Sequence, residues 1–361
     1  MEYYIFLTYN CNMRCTYCLA KEVLSNDQKL NLSRKRIEEI IKYIIKEKDK
    51  NEETRVVFFG GEPLLKPKIM GEFIRRLSPI NASFAVYTNG LLLDRVPLSV
   101  LNSLDVILVS LDGDQKAHEK YRGKGTYKVI IDNIKKMKPQ LYSTVIGRIT
   151  VEEETDIYSS ANNILKEVDA VYWQLVNKPS FENKEKFIVN YKKGVSELFD
   201  LWLDHFKKGE ILKIIPFQVI VSSLVFDYNN NGKSFRCGTT NHYKAIGLDG
   251  SIYICDEYIG SEKGILGNIN NGTQNMPEET HEDIFEDCRK CEVTNICLGR
   301  CRKCLLEYSV DQKRVYCELT KYLITTINQH IDEIKEIAGL RNYSIDDIYG
   351  DGLRGVTEEI P

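Results

Sequence analysis

Residues 2–18 read EYYIFLTYNCNMRCTYC. Of the first seven, all but Glu2 are aromatic, aliphatic or β-branched, the composition of a short buried strand. Directly behind them stand Cys11, Cys15 and Cys18 at C-x3-C-x2-C spacing. Three thiolates so spaced can hold three irons of a [4Fe-4S] cube and leave the fourth iron open to an external ligand. A zinc knuckle is the competing reading, but it lacks a fourth ligand nearby. Ligands of parallel sheets collect at the carboxyl ends of strands, so a strand followed by cysteines asks whether further parallel strands follow.

Five more runs of the same character do follow, at 55–59, 83–88, 105–111, 144–151 and 170–176. Between them lie segments with helical spacing of apolar residues. The segment SRKRIEEIIKYIIKEK opens on Ser33 as N-cap and places Ile37, Ile40, Ile41, Ile44 and Ile45 on one face. Further helices are expected over 67–78, 115–138 and 156–167. Residues 1–176 therefore read as α/β, a partial (β/α)6 barrel. A long helix over 183–208, striped by Phe187, Tyr191, Val195, Leu198, Phe199 and Trp202, belongs to a bridging segment, 177–236, that completes the barrel. Residues 237–317 are rich in Gly, Asn and Cys with little periodicity, a loop-rich auxiliary domain stabilised by metal ligation. A C-terminal helix over 318–338 and an Asp/Gly-rich tail fill 318–361.

The 361 residues carry 49 basic and 52 acidic side chains, a net charge of -3, without the positive field that nucleic acid requires. The N-terminus lacks the basic region and cleavage site of a secretion signal, and no apolar run is long enough to span a bilayer. No nucleic acid and no membrane partner is expected, and the cytoplasm is the expected compartment. Eleven cysteines, an odd number without a secretion signal, point to metal ligation rather than disulfides. Three lie in 11–18 and eight in 237–317, so two metal-bearing regions are expected.

Other motifs fall at strand ends. Gly60-Gly61-Glu62-Pro63 follows the second strand, where glycines let backbone approach a ligand and a carboxylate can accept from an ammonium group. Thr88-Asn89-Gly90 ends the third strand and Ser110-Leu111-Asp112-Gly113 the fourth. With the cysteine triplet, this set resembles the radical SAM superfamily. The resemblance implies that S-adenosylmethionine (SAM) binds the open iron through its amino and carboxylate groups, and that the reduced cluster cleaves SAM to a 5′-deoxyadenosyl radical. It further implies SAM contacts from Gly60, Gly61, Glu62, Ser110 and Arg122, Tyr17 near the adenine, and Arg148 facing the SAM carboxylate.

From Cys237, twelve residues lead to Gly250 and four more to Cys255; then come Cys288-x2-Cys291-x5-Cys297-x3-Cys301 and Cys317. This looks like the SPASM extension of radical SAM enzymes that modify peptides and proteins. The resemblance assigns Cys237, Cys255 and Cys301 to auxiliary cluster I, and Cys288, Cys291, Cys297 and Cys317 to auxiliary cluster II, three [4Fe-4S] clusters in all. Relatives supply a fourth ligand to cluster I shortly after the first cysteine, but GTTNHYK (238–244) contains none. Cys304 is the thiol left over and is expected as that ligand; the alternative is an open iron. The strings IYICDEY and SLDG…HEKYRGKGTY also resemble anaerobic sulfatase-maturating enzymes, which implies Asp256 as a base that deprotonates a substrate Cys or Ser. His118 is expected in the helix after the fourth strand and His242 near cluster I.

The resulting expectation is a radical SAM oxidoreductase that installs a crosslink or other oxidation in a ribosomal peptide. The substrate would be a peptide or protein, with an external one-electron partner such as ferredoxin or flavodoxin. Its alternatives are a formylglycine-forming sulfatase maturase, an enzyme acting on a small molecule, and a non-catalytic iron–sulfur carrier. The chain opens directly on its first strand without a leader-binding domain, which raises the sulfatase alternative.

Overall fold

The computed structural model describes residues 1–18, 31–48, 53–178, 180–228, 234–239, 242–274, 276–350, 353 and 360–361. They group into two compact units interleaved along the chain. The first comprises Met1–Ser110, Glu119–Val145 and Gly238–Glu278, and the second Leu111–His118, Ile146–Cys237 and Glu279–Pro361.

In the first unit, β1 (Glu2–Phe6), β2 (Thr54–Phe59), β3 (Ala82–Thr88) and β4 (Val106–Ser110) pair in sequence order, all parallel. The helix after β1, α1 (Arg34–Glu47), is capped by Ser33, whose hydroxyl accepts from the Arg36 amide at 3.1 Å. It buries Ile37, Ile40, Ile41 and Ile44, but Ile45 stands 44% exposed. Tyr43 is buried instead, lying 6.2 Å ring to ring from Tyr3 and accepting from Lys244 Nζ at 3.3 Å. Partners distant in sequence draw it in from outside the stripe. A second helix, α2 (Pro67–Leu77), sets Phe73 6.2 Å ring to ring from Phe58 of β2. The single helix expected over 115–138 is two, Gln115–Arg122 and Thr126–Met137, interrupted where Gly123 and Gly125 take φ of 113° and 77°.

The cysteine-rich segment holds more regular structure than its sequence suggests. Tyr243–Ile246 forms β7, parallel to β1 on the side opposite β2. An antiparallel meander, β8 (Ser251–Tyr253), β9 (Ile265–Asn268) and β10 (Gly272–Thr273), continues from it. The strands are short and interrupted by glycine, which hid their alternation.

The second unit contains β5 (Thr144–Val151, which begins in the first unit) and β6 (Ala170–Leu175), paired in parallel, and a helical body. Its long helix, Lys184–Lys208, ends on Gly209 in the left-handed conformation, and its whole expected stripe is buried. Trp202 stacks on Phe206 at 4.8 Å and donates from Nε1 to the Leu212 carbonyl at 3.1 Å. Trp202→Ala is expected to cost about 3–5 kcal/mol through cavity formation, read as a lower denaturant midpoint, with Trp202→Phe losing less. Ile215–Val225 is mostly apolar and buried on every side, and its buried Gln218 donates from Nε2 to Ile348 O at 2.6 Å. The C-terminal helix expected over 318–338 starts earlier and is broken. It runs Val310–Asn328, on a Ser309/Gln312 capping box, then Ile331–Leu340 and Ile345–Tyr349. Of the tail expected after it, residues 351–352 and 354–359 lie outside the described residues. Among the described residues, no helix is long and apolar enough to cross a membrane.

Candidate active site

In the first unit, backbone bonds from the end of β2 shape the loop that carries Cys11, Cys15 and Cys18. Gly61 N donates to Thr8 O at 2.8 Å and Glu62 N to Asn10 O at 2.9 Å. A Cβ on Gly60 would meet Thr8 O at 2.4 Å, and one on Gly61 would meet Asn10 O at 2.3 Å. These glycines bring strand end and cysteine loop together, a closer purpose than the ligand approach read from sequence. Within the loop, the Met13 amide donates to Cys11 Sγ at 3.4 Å and Arg14 Nη1 to Cys11 O at 2.7 Å. The Thr16 amide ties the loop to Tyr121 O at 2.8 Å.

Glu62 is 1% exposed, and both carboxylate oxygens are engaged. Oε1 accepts from Leu64 N at 2.9 Å and Thr88 Oγ1 at 2.8 Å, and Oε2 from Asn89 N at 2.8 Å. Burial pushes its carboxyl up to about 7 against the pull of those donors. Asn89 continues the chain of contacts to the cysteine loop, with Nδ2 at 2.8 Å from Asn12 Oδ1 and 3.9 Å from Cys11 Sγ. Burial likewise pushes Cys11 up to about 11, with Glu62, Cys15 and Cys18 adding to it. Such a thiol is a ligand only with a metal to draw off its proton. Tyr17 lies 5.2 Å from the Arg122 guanidinium and 5.8 Å from the Tyr121 ring, so loop and helix end meet there. Ser110 closes β4, half-buried.

Asp256 follows Cys255 immediately beyond β8. Its Oδ1 accepts from Tyr243 Oη at 2.6 Å, and its own amide donates to that hydroxyl at 2.9 Å. The Tyr243 ring meets Tyr4 edge-on at 4.4 Å, and Tyr4 in turn lies 5.9 Å from Tyr87. Burial, reinforced by Asp256, holds Tyr243 well above the usual phenol range, so it stays a neutral donor. Sequence reading missed Tyr243 because only the β7–β8 pairing brings the two residues together.

In the second unit, Arg148 on β5 donates from Nη2 to Gln174 Oε1 on β6. Asp112 is buried, with Oδ1 accepting from Thr150 N at 3.0 Å, and its amide donates to Nδ1 of the fully buried His118 at 3.4 Å. His118 lies on Gln115–Arg122, as expected, and serves to close the turn. His242 accepts the Glu2 amide at 2.8 Å through its carbonyl, a backbone role within the first unit.

Cys288, Cys291, Cys297 and Cys317 line one cavity with Cys304 and Arg300. Cys317 sits within the helix Val310–Asn328, so a rigid element supplies the last thiol of the set. Burial and the neighbouring thiols push Cys288 and Cys297 each up to about 12. Of the residues read as auxiliary I ligands, Cys255 belongs to the first unit and Cys237, Cys301 and Cys304 to the second. Cys237 packs against Phe235, Phe285, Cys288 and Leu305. No disulfide joins any of the eleven cysteines. Among the described residues, no three His, Cys, Asp or Glu side chains converge on a single-ion site. A cube takes one thiolate per iron, so its ligands surround a space, as Cys288, Cys291, Cys297, Cys304 and Cys317 do around their shared cavity.

Residues 5–158 match the model of the radical SAM superfamily. The chain is 28% identical, over 353 aligned residues, to the cysteine-type anaerobic sulfatase-maturating enzyme of Clostridium perfringens (strain 13 / Type A), covering 86% of this chain and 91% of that protein. Native anSMEcpe with bound AdoMet and Cp18Cys peptide superposes with a TM-score of 0.72 at 21% identity, covering 92% of this chain and 99% of that one. Streptococcus suis SuiB bound to precursor peptide SuiA gives a TM-score of 0.54 at 15% identity, covering 83% and 71%. At these identities the structural likenesses speak for the fold alone, and that fold is the parallel α/β core of radical SAM proteins with added C-terminal helices.

Proposed function

From the radical SAM domain formed by residues 5–158, we propose that this chain is a SAM-dependent maturase that oxidises a cysteine or serine of a peptide or protein substrate to formylglycine. The observation that carries this reading is the Tyr243–Asp256 pair, a carboxylate oriented by a buried phenol directly beside Cys255. Similarity along nearly the full length of a cysteine-type sulfatase-maturating enzyme supports the same choice. Crosslinking of a ribosomal peptide is thereby ranked second.

Cys11, Cys15 and Cys18 are assigned to a [4Fe-4S] cluster. Glu62, backed by Thr88 and Asn89, suits an ammonium group, which would return its raised carboxyl to the ionised form. Tyr17 and Arg122 offer a flat face and a cation for the rest of the nucleoside, with Ser110 and Arg148 as further SAM contacts. When bound, the cluster and SAM supply a carbon radical that abstracts hydrogen. Asp256 takes the thiol or hydroxyl proton of the substrate. Overall, a cysteine loses one hydrogen atom from Cβ, one proton and one electron; the thioaldehyde takes up water and releases hydrogen sulfide.

Cys237, Cys255, Cys301 and Cys304 are assigned to auxiliary cluster I, and Cys288, Cys291, Cys297 and Cys317 to auxiliary cluster II. Their chemistry is one-electron transfer, with an external carrier of the ferredoxin or flavodoxin type as partner.

The test is anaerobic turnover of the reconstituted protein with SAM, dithionite and a Cys-x-Pro-x-Arg peptide. The expected result is 5′-deoxyadenosine together with the mass change of cysteine to formylglycine. Deoxyadenosine with an unaltered peptide would refute this substrate reading and move the search to a dedicated precursor peptide.

A further inference from the structure

The segment between Cys297 and Cys301 is Leu298-Gly299-Arg300, and all three residues adopt the left-handed conformation, with φ of 44°, 67° and 55°. That conformation is disfavoured for a long side chain, and glycine or asparagine would meet the turn more cheaply. The backbone is nevertheless pinned there, with Arg300 N donating to Cys297 O at 2.9 Å and Arg236 N to Leu298 O at 3.1 Å. The turn delivers the Arg300 guanidinium to 4.8 Å from the centre of the Tyr316 ring. Tyr316 is itself fixed, donating to Val176 O at 2.7 Å and accepting from Lys178 N at 3.4 Å. Arg300 thus lines the cavity also lined by Cys288, Cys291, Cys297, Cys304 and Cys317.

Among the other charges near this cavity, Lys313, partly buried, lies over the Phe285 ring at 5.4 Å from its centre. Lys321 is drawn to Glu292 at 3.3 Å and is 43% exposed, so water and salt screen it. Asp287 pairs with Arg314 at 3.4 Å, and both are exposed. Cys297 directly precedes the turn and Cys317 directly follows Tyr316 on its helix, and Arg300 lines the same cavity as both. A reduced cluster carries one more negative charge than an oxidised one. A fixed, partly desolvated cation against two of its ligands therefore stabilises the reduced state and raises its potential.

We propose that Arg300 is a positioning charge that raises the reduction potential of the cluster held by Cys288, Cys291, Cys297 and Cys317, making that cluster a better acceptor for the electron leaving the substrate. The inference rests on the proposed reading of those four cysteines as cluster ligands. Its test uses the reconstituted full chain carrying Cys11→Ala, Cys15→Ala and Cys18→Ala, so that auxiliary clusters alone contribute. The signal to follow in EPR-monitored potentiometry is the one that Cys317→Ala removes.

Arg300→Gln is expected to lower that midpoint by about 59 mV, a tenfold change in the ratio of reduced to oxidised cluster, with iron and sulfide content unchanged. Arg300→Lys, which keeps the charge, is expected to stay near the parent. An unchanged midpoint in fully loaded Arg300→Gln overturns the inference alone. So does an equal drop in Arg300→Lys, or loss of the cluster from Arg300→Gln, since either makes shape rather than charge the contribution. A parent that binds no auxiliary iron overturns the ligand reading together with it.

Discussion

Replacing Cys11, Cys15 and Cys18 by alanine is expected to reduce 5′-deoxyadenosine formation to the uncatalysed background, with a loss of about four irons per chain. Each single replacement should do nearly as much, because residues that act as a unit fail as a unit and their effects do not add. The iron assigned to the other eight cysteines should survive. Their thiols are carried by other elements, Cys255 behind β8 and Cys317 on the helix Val310–Asn328. Iron and sulfide analysis beside chromatographic quantitation of the nucleoside checks both halves. Loss of all iron in the triple variant would show that the regions load together. Nucleoside at the parental rate would place the chemistry elsewhere.

Asp256→Asn should separate SAM cleavage from product formation. Asparagine keeps the shape and can still accept from Tyr243, so the fold around β7 and β8 should hold. It cannot take a proton from a substrate thiol, and general-base catalysis contributes about 10²–10⁴-fold. Product formation is therefore expected to fall by that factor while deoxyadenosine continues to appear uncoupled from it. Tyr243→Phe removes one hydrogen bond to a charged group, worth about 1.5–3 kcal/mol, and should have the smaller effect of the same kind. The ratio of nucleoside to modified peptide is the readout. Parallel loss of both products in Asp256→Asn would assign the residue a structural task.

The parts of the molecule legible in the sequence are those where local pattern and tertiary role coincide. All six expected parallel strands lie within one or two residues of their observed limits, because buried strands are continuous apolar runs that need no partner to be recognised. The buried stripe of Lys184–Lys208 was readable for the same reason, through its helical period. Ile215–Val225 gave no period because it is mostly apolar and its polar residues, Gln218, Ser222 and Ser223, are buried as well. Tyr43 and Ile45 exchanged places because contacts with Tyr3 and Lys244 outweigh helical phase.

At the candidate site, residue types and spacings were visible but their supporting contacts were not. Glu62 could be picked out from Gly60-Gly61-Glu62-Pro63, whereas its clamping by Thr88 and Asn89 depends on β2 and β3 being neighbours. Tyr243 stood inside a stretch scanned only for a missing thiol. Arg300 gave no signal of its own in the sequence; the left-handed turn is what directs it onto Tyr316. In each case the missing information is a pairing of distant segments, which no local period encodes.

The central claim, that a SAM-derived radical takes hydrogen from a substrate side chain, is tested most directly with a Cys-x-Pro-x-Arg peptide deuterated at the cysteine Cβ. The anaerobically reconstituted protein would be given this peptide, SAM and dithionite, and the deoxyadenosine examined by mass spectrometry. Transfer of deuterium into the nucleoside, together with conversion of the cysteine, is the predicted result. Protein with its full complement of iron that forms no deoxyadenosine at all would contradict the account.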